Sequence, residues 1–231
     1  MFPLPGGIGL SHLRAYEWAA SDGVCGGGPH LHLACTEAYV VTGGRGAVQT
    51  LDVGGYTETA LEAGVVAWFA PGTVHRMVQR DDLRITVLMQ NSSLPEAGDA
   101  VFTFPPPILA DPDAYAEAAA MPTGDAEARR RRDLAIEGYL PIREALVSGD
   151  PAPLRDFHRA AAALVAPKID AWIQCWRSGA LAAAELTGEH LKALANGDAS
   201  HLEQSGVRVE TPSGKDGYGM CGRRDEYRLD R

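Results

Sequence analysis

The sequence has no cysteine pair with the CxxC spacing, since Cys25, Cys35, Cys175 and Cys221 all stand singly. Zinc ribbons and thioredoxin-like redox sites need such pairs, so neither is expected. No basic start followed by an apolar run, the pattern of a secretory signal, is present. No stretch approaches the roughly 18 consecutive apolar residues of a membrane-spanning helix. We therefore expect a cytoplasmic protein with free thiols and without a membrane partner.

An excess of basic residues is also missing. The chain has 21 lysine and arginine residues against 30 aspartate and glutamate residues, which gives a formal net charge of -9. Nucleic-acid binding depends on a broadly basic surface, and so does binding to an anionic membrane. The composition therefore predicts no nucleic-acid partner.

The composition of the 231 residues changes near residue 105. Valine, threonine, glycine and short apolar runs dominate before this point, whereas alanine, leucine, arginine and glutamate dominate after it. Three consecutive prolines, Pro105 to Pro107, stop any regular element at the change. We predict one domain over residues 1–107 and a second region over residues 108–231.

The first region has the pattern of many short strands separated by glycine and proline turns. This pattern predicts a sandwich or a closed barrel, and no helical segment interrupts it as a parallel α/β sheet would require. The predicted strands are 11–18, 30–34, 37–42, 46–52, 56–61, 65–69, 73–79 and 83–90.

The second region has the pattern of helices over about 111–197. Apolar residues recur in steps of three and four from Leu154 to Trp176, and Pro167 predicts a break inside this stretch. A further helix is predicted over 180–195, ending at Asn196 and Gly197. Residues 198–231 are predicted to be a loosely ordered tail, in which 207–210 could form a short strand.

A run of four arginines, Arg129 to Arg132, lies within one of the predicted helices. Such a run, with Glu127 and Asp133 beside it, is typical of a solvated helix face. Phosphate binding is the weaker alternative.

Two segments of the first region carry residue types that bind metals. His30 and His32 are two positions apart, so both point to the same face of a strand. Glu37 has the opposite parity and can join them only if the chain turns or bulges in between. In the second segment the turn Pro71-Gly72 precedes His75, and Met77 and Gln79 alternate onto the side of His75.

These segments resemble the two motifs of the cupin superfamily. His30, His32, Glu37 and Gly44 occupy the places of the first motif, and the second is matched by the glycine, Pro-Gly turn and histidine at Gly64, Pro71-Gly72 and His75. The chain departs from the pattern at Gln79, where the family often has asparagine. The resemblance covers about residues 9–104. It implies a mainly β fold, a jelly-roll β-barrel, followed here by an α-helical C-terminal extension.

The resemblance also implies a divalent transition metal held by His30, His32, Glu37 and His75. Such ligands suit Fe(II), which we favour, and also Mn, Ni, Zn or Cu. One or two positions on the metal stay open for water, dioxygen or substrate. Tyr39, Met77 and Gln79 are predicted to surround the ligands, and no catalytic acid or base is singled out.

Three functions fit this site. We favour an Fe(II) oxygenase in which the metal binds a small-molecule substrate and dioxygen. A metal-dependent isomerase, epimerase or lyase acting on a sugar or a carboxylate is the first alternative. A non-catalytic ligand-sensing or regulatory cupin is the second. A homodimer is expected, in which the helices cover a barrel edge or the pocket mouth.

Overall fold

The computed structural model describes residues 4–227, and its strands form one antiparallel sheet. The main path of the sheet has the order β4-β3-β6-β1-β9-β8, while β2 pairs with β6 and β7, and β5 pairs with β3. A large antiparallel sheet followed by helices confirms the predicted fold class. The strands are β1 Gly9–Ala15, β2 His30–His32, β3 Glu37–Asp52, β4 Gly55–Glu62, β5 Val66–Phe69, β6 Val74–Met89, β7 Ala100–Phe102, β8 Gly214–Tyr218 and β9 Gly222–Glu226.

Two predicted strand boundaries are wrong. Segments 37–42 and 46–52 are one bulged strand, β3, and segments 73–79 and 83–90 join as β6. The glycines near Gly44 and the acids at 81–82 were interpreted as turns, but they face one another within the β3–β6 pair. Gly44 has a φ of +68°, and a Cβ there would lie 2.0 Å from the carbonyl oxygen of Asp82. The motif glycine therefore lets the two strands bend together instead of ending them.

Within the described residues, six α-helices follow β7. They are α1 Pro106–Leu109, α2 Pro112–Ala119, α3 Asp125–Val147, α4 Ala152–Val165, α5 Ile169–Trp176 and α6 Ala182–Ala195. The predicted break at Pro167 is confirmed, because a 3-10 turn over Ala166–Lys168 separates α4 from α5. None of the helices within residues 4–227 combines the length and the apolar character needed to cross a bilayer.

Helix α3 lies directly against the sheet. A Cβ on Gly138 would be 2.1 Å from the carbonyl oxygen of Thr103, so only glycine permits this close approach. The Thr103 hydroxyl donates to the carbonyl of Ala135 at 2.8 Å, and the buried Tyr139 hydroxyl donates to Oε1 of Gln49 at 3.2 Å. These polar contacts fix the helix over the strands that carry the metal-binding residue types.

The tail differs from the predicted loose order, because β8 and β9 form a hairpin that returns to the barrel. Strand β9 pairs with β1 from Ser11–Glu226 to Ala15–Gly222, and the Tyr16 hydroxyl donates to the carbonyl of Gly219 at 3.0 Å. The hairpin sequence is polar and does not itself predict strands. The hairpin forms because the edge of β1 offers backbone N–H and C=O groups that need partners. Residues 207–210 form no strand. Residues 1–3 and 228–231 of the predicted regions lie outside the described part, and the division at residue 107 stays a prediction.

Candidate metal centre

Three strands bring the histidines and the glutamate together. His30 and His32 lie on β2, His75 lies on β6 directly opposite His30, and Glu37 begins β3. The chain leaves the strand conformation over residues 33–36, which provides the change of direction that the parity of Glu37 requires. One ligand atom from each of the four side chains lies within 4.8 Å of the others, and all four residues are buried.

The imidazole rings are fixed through their Nδ1 atoms. Nδ1–H of His30 donates to the carbonyl of Gly28 at 2.9 Å, and that of His75 donates to the carbonyl of Thr73 at 3.2 Å. Nδ1–H of His32 donates to the Asp99 carboxylate at 3.1 Å. Because each Nδ1 faces an acceptor, Nε2 is the ring atom that would bind a metal in all three residues.

The centre contains buried polar atoms that protein groups do not satisfy. Glu37 Oε2 lies 2.9 Å from His75 Nε2 and 3.3 Å from His32 Nε2. Among the described residues, Glu37 Oε2 and His75 Nε2 have no hydrogen-bond partner of acceptable geometry. Orphaned buried atoms of this kind are costly and rare. A divalent cation would satisfy both, so the residues present fit the implied metal.

Asp99 is a residue of the centre that the sequence analysis missed. Its carboxylate is fully buried and, besides His32, accepts from the backbone N–H of Leu33 at 3.1 Å, of Ala34 at 2.6 Å and of Cys35 at 3.3 Å. It thereby holds both the His32 ring and the bend that leads to Glu37. Nothing in the local sequence distinguishes it from an ordinary loop acid.

The electrostatics of the four side chains are strongly coupled. Burial and the neighbouring His75 and His32 hold the pKa of His30 well below its usual range. Burial opposes the charged form of His32, but Glu37 and Asp99 outweigh it and raise the pKa of that ring to about 9. Burial also opposes ionisation of Glu37, yet the adjacent imidazoles keep its pKa well below the usual value. The carboxylate is therefore ionised and attractive to a cation.

The three predicted neighbours of the ligands lie at different places. Tyr39 is buried, with its ring 6.1 Å from that of His75 and its hydroxyl 3.5 Å from Cys221 Sγ. Met77 is fully buried one alternation beyond His75. Gln79 uses its Oε1 to accept from the backbone N–H of Leu83 at 2.9 Å, within the bulge. The roles predicted for these three residues stay predictions.

A cavity of about 230 Å³ opens onto His30, His32 and Glu37. Cys221, in the turn between β8 and β9, lies in its wall, and burial raises the pKa of its thiol to about 12. The C-terminal hairpin therefore helps to enclose the centre, and the thiol keeps its proton at neutral pH. The remaining wall includes Leu13, Val87, Met89, Arg131 and Met220.

Only part of the arginine run is the solvated face that we expected, because Arg130 is exposed and Arg129 half-buried. Arg131 and Arg132 are buried, and Arg131 lines the cavity. Both guanidinium groups donate to backbone carbonyls, which the sequence does not reveal. The carbonyls of Trp18 and Ala19 accept from Arg132. The hydrogen bonds to the carbonyls offset the cost of burying the two charges.

Similarity to known proteins is found among solved structures. No protein-family model matches the chain, and no curated protein matches it. Solved structures do match. The antiparallel sheet and the buried cluster of three histidines and a glutamate agree with the predicted resemblance to cupins, and the matching structures include a cupin protein.

Three solved structures illustrate the match. A TDP-quinovose 3,4-ketoisomerase from Campylobacter jejuni is 12% identical over 36% of this chain and 61% of its own, with a TM-score of 0.30. A double-stranded β-helix protein from Klebsiella pneumoniae is 15% identical over 40% and 74%, with a TM-score of 0.32. A cupin protein from Bacteroides fragilis is 23% identical over 36% and 60%, with a TM-score of 0.26. The chain thus spans only about three fifths of the ketoisomerase and of the Bacteroides cupin, and what the site can do follows from its own geometry.

Proposed function

We propose that this chain is a metal-dependent enzyme for small molecules, with a divalent transition metal held by His30, His32, Glu37 and His75. One observation carries the proposal: all three rings are anchored through Nδ1, and the Nε2 atoms of His32 and His75 lie 3.3 and 2.9 Å from Oε2 of the buried Glu37. A bound metal supplies Lewis acidity and, as Fe(II), the capacity to activate dioxygen. The cavity supplies a place for the substrate next to the ligands.

An Fe(II) oxygenase is the form that we favour. The neutral groups near the ligands hold their protons, because burial raises the pKa of Tyr39 well above its usual value and that of Cys221 to about 12. Asp99 is occupied by His32 and by backbone amides. An isomerase, epimerase or lyase needs a mobile proton acceptor; these three groups are poor candidates, which leaves Glu96 on the cavity wall as the acceptor that this alternative would use. Leu13, Val87 and Met89 make the wall partly apolar, which suits a reaction with dioxygen.

Metal substitution tests this choice. The protein is loaded anaerobically with Fe(II) or Zn(II), supplied with a panel of small carboxylic acids and hydroxy acids, and followed with an oxygen electrode and by product analysis. We expect oxygen uptake with Fe(II) alone. His75→Ala should abolish it, whereas His12→Ala, at a histidine outside the cluster, should not. Full turnover with Zn(II) would contradict the oxygenase and support the isomerase or lyase alternative. Failure to bind any metal would contradict both functions.

A homodimer is the second part of the proposal. Apolar side chains on α5 and α6 are exposed, among them Ile173, Trp176, Leu191 and Leu194. Exposed apolar faces of this kind are typical of surfaces that bind a protein partner. Sedimentation equilibrium should give a mass of two chains, and a monomer at micromolar concentration would contradict the prediction.

A further inference from the structure

Arg131 is a buried cation in the wall of the cavity that lacks an acidic partner. The residue is 8% exposed, and within residues 4–227 it forms no ion pair. Its Nη1 donates to the carbonyl of Ala120 at 3.3 Å, and its Nη2 donates to those of Tyr218 at 3.2 Å and Gly219 at 3.0 Å. A guanidinium has five N–H donors, so these bonds leave two without a described partner.

The other arginine of the cavity wall, Arg224, differs in this respect. Arg224 forms an ion pair with Glu226, which also lines the cavity, so its charge is neutralised locally. Of the other two acids on the wall, Glu37 belongs to the metal cluster and Glu96 forms no ion pair with Arg131. Arg131 is therefore a cation beside the substrate space without an ion-pair partner among the described residues.

Arg131 is also within reach of the proposed metal centre. Its guanidinium carbon lies 5.2 Å from the centroid of the Phe102 ring, and that ring lies 6.1 Å from the ring of His30. The guanidinium is thus at most about 11 Å from a ligand ring. A small molecule in a cavity of about 230 Å³ can touch both.

We propose that Arg131 binds a carboxylate of the substrate whose other end meets the metal centre. The inference rests on the proposed function and narrows the substrate class to small anionic molecules with two polar ends. A guanidinium matches a carboxylate in geometry as well as in charge. Burial of the guanidinium strengthens the pairing. The carbonyl bonds to the β8–β9 turn hold the guanidinium ready in the cavity wall, so little side-chain entropy is lost on binding.

Isothermal titration with matched ligands tests the proposal. Zn(II)-loaded protein is titrated with dicarboxylates from malonate to adipate and with the corresponding monoamides, which keep one carboxylate but lose the second charge. We expect at least one dicarboxylate to bind roughly tenfold more tightly than its monoamide. Arg131→Met should abolish this preference, and Arg131→Lys should keep part of it, since the charge remains.

Arg132→Met is the control, because Arg132 lies on the same helix, is also buried and bonds to carbonyls, but pairs with Asp133 and does not line the cavity. It should keep the preference, and metal content and thermal melting are measured for every variant. A wild-type protein without the preference, or Arg131→Met with the preference intact, overturns the proposal. If the protein takes up no metal, the proposed function fails. A preference that depends on Arg131 in the metal-free protein would then still support the anion site.

Discussion

Asp99 accepts a hydrogen bond from Nδ1–H of His32 at 3.1 Å, and its other oxygen accepts from the backbone of the following bend. One carboxylate thus orients a ligand ring and the segment that carries the chain to Glu37. Two of the four proposed ligands therefore depend on a residue more than sixty positions away in the sequence.

Replacement of this carboxylate should weaken metal binding. Asp99→Asn keeps the shape but removes the charge that favours Nδ1–H and makes Nε2 more basic. We expect the affinity for Zn(II) to fall by about 10- to 100-fold, the usual effect of losing such a partner. Competition with a chromophoric chelator measures it. Asp22→Asn, the same substitution at a buried ion pair outside the cluster, should leave the affinity unchanged.

The ion pair between Asp22 and Arg76 should contribute to stability in a pH-dependent manner. Nη1 and Nη2 of the fully buried Arg76 donate to the two Asp22 oxygens at 2.6 and 3.0 Å. Asp22→Asn leaves that cation without its counter-charge, and we expect a loss of about 3 kcal/mol at pH 7, since removing one partner of a buried pair is costly. Urea denaturation of both proteins measures the difference in the free energy of unfolding.

The sign of the pH dependence follows from the lowered pKa of Asp22. Burial opposes its ionisation, but the Arg76 hydrogen bonds and charge outweigh it, so the folded-state pKa lies below that of the unfolded chain. The stabilisation is therefore complete above about pH 4, the unfolded value, and disappears as the pH falls through the lower folded value. The stabilities of the two proteins should converge as the pH falls below the unfolded value. Equal stability at pH 7 would contradict the prediction.

Two glycines allow a matched test of the bulge. Gly44 has a φ of +68° and no room for a Cβ, whereas Gly64 has a φ of +94° and no atom within 4 Å of such a Cβ. Gly64→Ala should cost only the left-handed backbone penalty, about 1–2 kcal/mol. Gly44→Ala should cost at least about 2 kcal/mol more, because the β3 and β6 backbones must also separate. Similar midpoints of thermal melting for the two variants would refute the close contact.

A metal should raise the stability of the protein through the His75 cluster. A ligand that binds only the folded state stabilises it by about 2.7 kcal/mol at a free concentration 100 times its Kd. Differential scanning fluorimetry with Zn(II) should therefore show a rise in Tm for the wild type and for His12→Ala, and none for His75→Ala. An equal rise in His75→Ala would place the bound metal elsewhere.

The ligand residues could be predicted because spacing and parity constrain them. His30 and His32 had to share a face, and the resemblance then added Glu37 and His75, which the structure brings within 4.8 Å. Local sequence could not show that Gly44 faces Asp82 across two strands, so two continuous strands were each predicted as two. Paired bulges and turns use the same residue types.

Asp99 and Arg131 were beyond sequence reasoning for a different reason. Their roles depend on burial and on backbone groups of distant segments: the amides after His32 for Asp99, and the carbonyls of Tyr218 and Gly219 for Arg131. The β8–β9 hairpin was missed because Gly214–Tyr218 lacks apolar alternation. Its place is set by the edge of β1.

The pairing of β1 with β9 has a consequence for the order of folding. Ser11 pairs with Glu226, which lies more than two hundred positions later in the chain. The edge of β1 therefore has no strand partner on this side until the β8–β9 hairpin docks. Closing so long a loop carries an entropic penalty and slows assembly. The wall containing Cys221 should accordingly be the last part of the barrel to gain protection from hydrogen exchange during refolding.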